Sequence, residues 1–295
     1  MSQNAKGPRT MKKALQGATV ALTLLGGGEA VALEWMNNSV GFRYGQHFTN
    51  PNNPDDFSKR IYSFTHASGY QYGSNYLNLD VFLSDSSDPR KGTDHGGSEV
   101  YAVYRHQLYA SRVLDVPLGT GLIKDYALTL GFDANRNNNF ASAKKRALVI
   151  GPTLKLNTVG VLDLSLMYYK EKNHTGIPGA KESNHTFDDT YMLNLTWMRP
   201  FDIANHAAKF QGFINYVGEK GEDYHGRDTA PETLMRTALM VAVRPGKSVK
   251  PNLYLGVGYE YWHNKFGVDG GMGTRTSTPT LNMDCLLYTS PSPRD

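Results

Sequence analysis

Apolar and polar side chains alternate along most of the chain, and turn-rich stretches separate the alternating segments. Between residues 72 and 83, for example, Leu77, Leu79 and Val81 fall on one side of an extended backbone, and Asn78 and Asp80 fall on the other. Successive side chains of a β-strand point to opposite faces, so this period of two predicts strands. The pattern predicts twelve of them, at residues 38–46, 60–67, 72–83, 99–108, 122–133, 145–156, 161–169, 190–198, 208–217, 234–243, 252–263 and from 276 onward.

The connections between these segments alternate in length. Long polar connections follow the odd-numbered segments and include residues 84–97, 170–188 and 218–233, whereas the intervening ones, such as 157–160 and 245–251, are mostly shorter. A soluble β-sandwich also has short alternating strands, but it does not account for this one-sided rhythm. An even number of strands of about 10 residues with this rhythm is typical of bacterial outer-membrane barrels. We therefore predict an all-β fold: a twelve-stranded antiparallel transmembrane β-barrel with short periplasmic turns and long outer loops.

Both ends of the chain differ from the alternating region. Lys12 and Lys13 precede an apolar stretch at 14–27, and Ala30-Val31-Ala32 forms a small-residue cleavage site, which together predict a signal peptide. The last eleven residues, CLLYTSPSPRD, match the in-frame translation of a widely used sequencing-adapter sequence. We therefore expect three parts: an upstream extension plus signal peptide at 1–32, an outer-membrane β-barrel with a truncated last strand at 33–284, and an appended artefact at 285–295.

Charge and composition exclude several other classes of protein. The net charge is +4, but residues 1–32 carry +3 of it, which leaves +1 for the remainder. Since no Lys/Arg cluster is interleaved with aromatic residues, we predict that nucleic acid is not a partner. The single cysteine, Cys285, lies in the tail, so the barrel region is compatible with an oxidising periplasm. No run of about 18 apolar residues is present that could span a bilayer as a helix.

The alternation also predicts which side chains face the inside of the barrel. In a membrane barrel the apolar face meets lipid and the polar face lines the lumen. A twelve-stranded lumen partly filled by large side chains is expected to pass small solutes slowly and selectively. We predict that the pore or solute-binding residues are the inward-facing Tyr76, Asn78, Asp80, Tyr101, Arg105, Asp133, Glu260 and Trp262, with Lys155 also pointing inward. The alternative for the charged residues among them is that they simply pair with one another across the barrel.

Short segments spread over residues 34–284 resemble one known family, the Tsx-type nucleoside-specific channel-forming outer-membrane proteins. The segments are Gly41-Phe42-Arg43-Tyr44-Gly45, His66-Ala67-Ser68-Gly69-Tyr70, Val103-Tyr104-Arg105-His106, Lys144-Lys145-Arg146 with Gly151-Pro152-Thr153-Leu154, Pro231-Glu232-Thr233 and Tyr261-Trp262 with Asn264-Lys265-Phe266-Gly267. The resemblance implies a monomeric barrel in the cell outer membrane that admits nucleosides or similar small solutes by facilitated diffusion. Aromatic rings could stack on the base, and polar side chains could hydrogen-bond the sugar.

Two other functions are weighed against a channel. His66 and Ser68 share one face of a strand, an arrangement that could supply the base and nucleophile of a lipid hydrolase. The loop rhythm, however, places them near the periplasmic end, and no acidic residue is evident to orient the histidine. The second alternative is a structural or receptor barrel whose outer loops are a docking surface, for example for phage.

Metal and cofactor sites are not expected. His174, His185, Asp188 and Asp189 share one long connection, but without the spacing of a metal site. The sequence contains no Walker loop, Rossmann fingerprint or Cys motif. We therefore predict a protein that is not an enzyme, has neither metal nor cofactor, and contacts outer-membrane lipid.

Overall fold

The described residues form one closed antiparallel sheet. The computed structural model describes residues 33–53, 55–88, 96–138, 142–176, 179–245 and 252–287. The strands are β1 Leu33–Phe48, β2 Phe57–Tyr70, β3 Gly73–Ser84, β4 Ser98–Tyr109, β5 Ile123–Asn137, β6 Lys144–Leu156, β7 Val161–His174, β8 Asn184–Thr186, β9 Thr190–Ile203, β10 His206–Val217, β11 Glu232–Ala242, β12 Leu253–His263 and β13 Thr276–Leu287.

Twelve of these strands make the barrel. Each pairs with its neighbour in the chain, β7 pairs with β9, and β1 pairs with both β2 and β13, which closes the ring. The three-residue β8 only extends the end of β7, where Asn184–Thr186 lies beside residues 172–174. The predicted twelve-stranded antiparallel barrel is therefore confirmed.

The barrel has two unlike ends. At one end, here called the turn end, residues 71–72, 110–122, 157–160, 204–205 and 243–252 connect the strands. At the other, the loop end, the connections are residues 49–56, 85–97, 138–143, 175–189, 218–231 and 264–275. Residues 71–72 and 204–205 are both two-residue turns, and in the second Ala204 and Asn205 have positive φ (45° and 66°), as in a hairpin turn of type I′.

The predicted rhythm of the connections fails at two places. Residues 110–122 at the turn end are not short, and they contain a helix, Ala110–Leu114. Residues 138–143 at the loop end are short, because β5 and β6 continue pairing as far as Arg136 and Lys144. Extra ladder pairs thus replaced the loop that the alternation alone predicted after the fifth strand.

The outward face of the barrel is apolar and the inward face is mixed. Leu148, Val257 and Leu281 are 64%, 59% and 62% exposed and point away from the barrel axis. Exposing so many large apolar side chains to water is unfavourable, whereas such a band suits contact with lipid. Inside, three small apolar clusters fill part of the lumen: Ala147, Val149, Met167, Tyr169, Met192 and Val217; Phe48, Phe57, Ile61 and Phe82; and Met240, Ala242 and Tyr254. Of the helices in the described ranges, none has the length and apolar character to cross a bilayer.

Strands β1 and β13 close the barrel in a defined register. Their ladder runs from Asn38 opposite Leu287 to Tyr44 opposite Leu281. Strand β13 therefore includes Cys285–Leu287, the first residues of the segment that the sequence marks as an appended tail. Val40 lies directly opposite Cys285 in this ladder.

This register predicts a disulfide that one substitution can create. Val40→Cys places two thiols on directly opposed residues, whose Cα atoms are expected to be about 4.5–5.5 Å apart, within the range of a disulfide. We expect mild oxidation of the folded protein to remove both free thiols, as measured by thiol titration and intact mass.

The matched control is Phe42→Cys, two residues along the same face and opposite Met283. In this variant the introduced cysteine lies diagonally across the ladder from Cys285, so the two thiols should oxidise far more slowly. Equal oxidation of the two variants, or none in either, would contradict the closed register.

Candidate functional site

A cavity of about 1170 Å³ occupies the lumen. Its lining begins with Asn50 and Asp88 near the loop end and reaches Asp202 and Tyr254 at the turn end. Side chains from all twelve barrel strands contribute to it. The lumen is therefore a partly filled passage rather than a solid core.

The eight residues predicted as pore or solute-binding residues all line this cavity: Tyr76, Asn78, Asp80, Tyr101, Arg105, Asp133, Glu260 and Trp262. Lys155 lines it as well. Strand alternation accounts for these positions, since each has the parity opposite to the lipid-facing residues of its strand. Their contact with a solute stays a prediction.

Asp80 receives more polar contacts than any other predicted pore residue. One carboxylate oxygen accepts hydrogen bonds from Ser63 Oγ at 2.7 Å and Asn78 Nδ2 at 2.8 Å. The other accepts from Arg43 at 2.7 Å and from Arg236 at 3.4 Å. The Asp80 side chain is 4% exposed, so its charge is enclosed by these donors. Charge-assisted hydrogen bonds of this kind are among the stronger ones in proteins.

The contact between Asp80 and Arg236 crosses the lumen. Asp80 lies in β3 and Arg236 in β11. Four strands separate them on one side of the ring (β2, β1, β13 and β12) and six on the other (β4, β5, β6, β7, β9 and β10), so they are nearly opposite. An ion pair between opposite walls narrows the passage at this height.

Four charges meet at this narrow point. Arg236 Nε donates to Glu260 at 2.6 Å, while its guanidinium also contacts Asp80. Arg43, Asp80, Arg236 and Glu260, here called the central cluster, comprise two cations and two anions. The cluster is therefore formally neutral, and it presents hydrogen-bonding groups without a strong field of either sign.

Ion pairing continues along the wall. Arg105 contacts Asp133 at 2.6 Å, and Lys155 contacts Asp163 at 2.7 Å. Among the residues that the structure describes, eight basic and nine acidic side chains line the cavity: Arg43, Lys59, Arg105, Lys145, Lys155, Lys209, Arg236 and Lys265, against Asp80, Asp88, Glu99, Asp133, Asp163, Asp202, Glu232, Glu260 and Asp284. The lumen as a whole is therefore close to electrically balanced.

The three predicted aromatic residues differ in availability. Trp262 Nε1 donates to Glu232 at 2.6 Å, and Lys265 Nζ lies 4.6 Å from the centre of its ring. The hydroxyl of Tyr101 is 3.5 Å from Asp133, and the side chain packs against the inner apolar cluster of β1 to β3. Tyr76, in contrast, points into the lumen and is 42% exposed. Tyr76 is thus the ring with most surface open to a passing solute.

Two residues central to the site were not among the predicted ones, Arg43 and Arg236. Like the predicted pore residues, both occupy strand positions whose parity is opposite to that of the lipid-facing residues. Arg43 lies between the outward-facing Phe42 and Tyr44, and Arg236 has the parity opposite to Leu239 and Val241. The alternation could have found them, although not their partners on other strands.

Hydrogen bonds between loops cover part of the loop end. Lys265 Nζ donates to the carbonyl oxygen of Thr49 at 2.6 Å, and the amide of Asn52 donates to Met272 at 2.9 Å. These contacts tie the 49–56 and 264–275 connections together above the lumen. Asn50 in the first of them donates to Asp88 at 3.2 Å. The opening of the lumen at the loop end is therefore narrower than the ring of strands alone would make it.

Asp85 anchors another connection at this end. Burial alone raises the pKa of its carboxyl group, but hydrogen bonds from the Ser58 hydroxyl and amide, at 2.7 and 2.8 Å, outweigh it and lower the pKa below its ordinary value. This contribution to stability is present above the ordinary pKa of the group. It is lost as the pH falls through the lowered pKa.

His66 and Ser68 face outward near the turn end and are hydrogen-bonded. His66 Nε2 lies 3.0 Å from Ser68 Oγ, and Nδ1 lies 2.8 Å from Oδ1 of Asn38, its direct partner on β1. An amide oxygen only accepts, so Nδ1 carries the proton and Nε2 can accept from the serine. The orienting residue that the sequence did not show is therefore an amide.

The same arrangement recurs beside it without a nucleophile. His106 lies between Oδ1 of Asn75 at 2.8 Å and the hydroxyl of Tyr70 at 3.0 Å. Moreover, Ser68 is 2% exposed, which leaves no room for a lipid ester at its oxygen. These contacts satisfy polar groups on a lipid-facing surface, as the absence of water there requires.

No metal site is evident in the described ranges, where no three His, Cys, Asp or Glu side chains come together in a way that could hold an ion. His185 instead contacts Glu182 and the carbonyl oxygen of Glu222, at 2.5 and 2.7 Å. Asp189 contacts Lys170 and Tyr168. The residues weighed as ligands thus have other partners.

Comparison with known proteins gives structural neighbours only. No protein-family model matches the chain, and no curated protein matches it. Among solved structures, the translocator domain of autotransporter NalP from Neisseria meningitidis has a TM-score of 0.43 and 13% identity, over 93% of this chain and 95% of that one. The NanC porin has a TM-score of 0.43 and 10% identity, over 87% and 100%. OccK11 (OpdR) from Pseudomonas aeruginosa has a TM-score of 0.27 and 9% identity, over 87% and 97%.

Similarity at this level carries no argument about function. The barrel architecture rests on the strand pairing described above. The resemblance to Tsx-type channels is not tested by these comparisons and stays a prediction.

Asp80→Asn is predicted to change ion selectivity. The amide keeps the shape of the side chain but leaves Arg43 and Arg236 with one partner fewer, so the narrow point becomes positive. We expect the reversal potential in a salt gradient to shift towards anion selectivity, together with a loss of about 3 kcal/mol in unfolding free energy, as for other broken buried pairs.

The control is Asp284→Asn, which removes the same charge from the Lys209–Asp284 pair nearer the turn end, where the two atoms are 2.5 Å apart. Its effect on selectivity should be smaller, because the narrowest point dominates the field that an ion meets. A larger shift in Asp284→Asn than in Asp80→Asn would contradict the assignment of the central cluster as the constriction.

Ser68→Ala is predicted to have no effect on lipid hydrolysis. We expect the unmodified protein and the variant to release fatty acid from phospholipid vesicles at the same background rate, because the serine oxygen is enclosed. If the unmodified protein had a measurable hydrolase activity and the variant lost it with the barrel still folded, His66 and Ser68 would be established as catalytic.

Proposed function

We propose that this chain is an outer-membrane channel for the facilitated diffusion of small, uncharged polar solutes, with nucleosides as the favoured class. The proposal places the turn end in the periplasm and the loop end outside the cell. A closed barrel with an apolar outward band and a passage through it supports a membrane channel. The class of solute follows from the electrostatics of the passage.

The observation that carries the proposal is the neutral central cluster, joined across the lumen by Asp80 and Arg236. A ring of unpaired charges of one sign would favour ions of the opposite sign. Here the charges pair with one another, so an ion that enters must leave its hydration shell without gaining a counter-charge. An uncharged solute with hydroxyl and amide groups avoids that loss. It can still exchange hydrogen bonds with the carboxylates and guanidinium groups as it passes.

Tyr76 supports an aromatic solute over a plain sugar. It is the most accessible of the predicted lumen aromatics, and it lies directly opposite Arg105 across the β3–β4 ladder. Stacking of a base on an aromatic ring contributes about 1–3 kcal/mol. Binding of that strength concentrates a nucleoside at the narrow point without trapping it there.

Uptake into liposomes containing the purified full chain tests this function. We expect adenosine or uridine to enter several-fold faster than the corresponding nucleoside monophosphates, which carry charge through a balanced lumen. Empty liposomes set the background. Uptake of the monophosphates at the same rate as the nucleosides, or no uptake above background, would contradict the proposal.

Substitution of Tyr76 tests the stacking role. Tyr76→Ala should raise the nucleoside concentration for half-maximal uptake about tenfold, as expected for the loss of about 1.4 kcal/mol of stacking. Tyr76→Phe, which keeps the ring, should stay near the value of the unmodified protein. The matched control is Tyr126→Ala, because Tyr126 has nearly the same exposure, 44% against 42%, but faces away from the lumen. An equal effect of the two alanine substitutions would show that Tyr76 does not contact the solute.

A further inference from the structure

Four basic side chains lie together on the outward face of β5, β6 and β7 at the loop end. They are Arg136, Lys144, Arg146 and Lys172, here called the basic patch. Arg136 lies directly opposite Lys144, and Arg146 lies directly opposite Lys172. Arg136, Arg146 and Lys172 are exposed, and Lys144 is half-buried. With adjacent strands about 4.8 Å apart, the four charges span roughly 10 Å across three strands.

The patch brings like charges together without compensation. Like charges directly opposite each other on a sheet are destabilising. Within the described part of the chain, no acidic side chain forms an ion pair with any of the four. The neighbouring Lys170, by contrast, is paired with Asp189. The sequence thus supplies an acidic partner to one cation of this region and leaves four others available to an external anion.

The height of the patch matches the polar margin of a membrane. On β6, Arg146 is the next outward-facing residue towards the loop end after Ile150 and Leu148, which are 48% and 64% exposed. On β7, Lys172 continues the outward series that includes Leu166 and Tyr168, which are 50% and 46% exposed. The cations therefore begin where the lipid-facing band ends, at the level of lipid head groups.

The strands that follow β7 round the ring differ at the same height. There the outward positions near the loop end of β9, β10 and β12 hold Tyr191, Tyr216 and Tyr261. Tyrosine is typical of the aromatic girdle of a barrel and carries no charge. Arg60, exposed near the loop end of β2, lies close enough to Asp85 to interact with its carboxylate, whereas the four cations of the basic patch lie together, so positive charge is concentrated on β5 to β7.

We propose that the basic patch binds the phosphate groups of a phosphorylated glycolipid in the outer leaflet of the membrane. Guanidinium groups bind phosphate oxygens through paired N–H donors, and lysine adds a mobile positive charge. Clusters of basic residues beside a membrane are a general means of binding anionic lipid head groups. The inference rests on the orientation proposed above, with the loop end outside, but it does not depend on which solute passes through the lumen.

Lipid binding by the detergent-solubilised full chain tests the proposal. The probe is purified lipopolysaccharide, compared with the same preparation after enzymatic removal of its phosphates and with phosphatidylglycerol. Native mass spectrometry or titration with a fluorescent derivative gives the apparent affinity. We expect the phosphorylated glycolipid to bind at least tenfold more tightly than either comparison lipid.

The variant that tests the site replaces Arg136, Lys144, Arg146 and Lys172 with glutamine. The matched control replaces four other exposed basic residues, Arg60, Lys124, Arg199 and Arg244, and removes the same total charge. We expect the first variant to lose at least tenfold in affinity for the phosphorylated glycolipid and the control to stay within twofold. A third variant, Arg136→Lys with Arg146→Lys, keeps every charge and should retain most of the binding.

Three outcomes would overturn the proposal. The first is full binding by the variant that lacks the basic patch, and the second is an equal loss in the charge-matched control. The third is equal binding of the dephosphorylated glycolipid or of phosphatidylglycerol by the unmodified protein. Nucleoside uptake by the patch variant, measured in phospholipid liposomes, should be unchanged, so failure of this proposal and failure of the channel function are distinguishable.

Discussion

Closure of the sheet is the constraint on which the rest of the structure depends. A hydrocarbon environment offers no water to an unpaired amide or carbonyl group, so a sheet in that environment must have no free edge. Strand β1 meets this requirement by pairing with both β2 and β13. Once the ring is closed, each strand has one lipid-facing and one lumen-facing side, and the alternation along the chain becomes a division between two environments.

Closure also explains why the lumen carries so many ion pairs. Polar side chains are confined to the inward face, and twelve strands bring opposite walls close enough for long side chains to meet. Arg236 reaches Asp80 on the opposite wall, and Lys209 on β10 reaches Asp284 on β13. Such pairs narrow the passage and cancel most of its charge. The selectivity for uncharged solutes that we propose rests on this arrangement, which also keeps the interior polar groups satisfied, and it needs no dedicated binding pocket.

The sequence contains enough information for the strands and for the face of each side chain. The period of two placed Asp80, Arg105 and Glu260 inside the barrel, and the structure has them there. It could not show that Asp80 meets Arg236, because that contact depends on which strands oppose each other after closure. The same holds for Asn38 beside His66, which follows from the register of β1 and β2 and not from spacing along the chain. The connections were the least predictable part, because added ladder pairs shorten one and a helix lengthens another.

The lumen and the outer surface differ in charge: the interior is electrically balanced, whereas uncompensated positive charge lies outside on β5 to β7. The claim that the balanced interior conducts small uncharged solutes is tested most directly by conductance of the purified chain in a planar bilayer. We expect a small conductance with little preference between cations and anions, and a decrease when a nucleoside is added. A conductance that nucleosides leave unchanged, or one strongly selective for a single sign of ion, would contradict it.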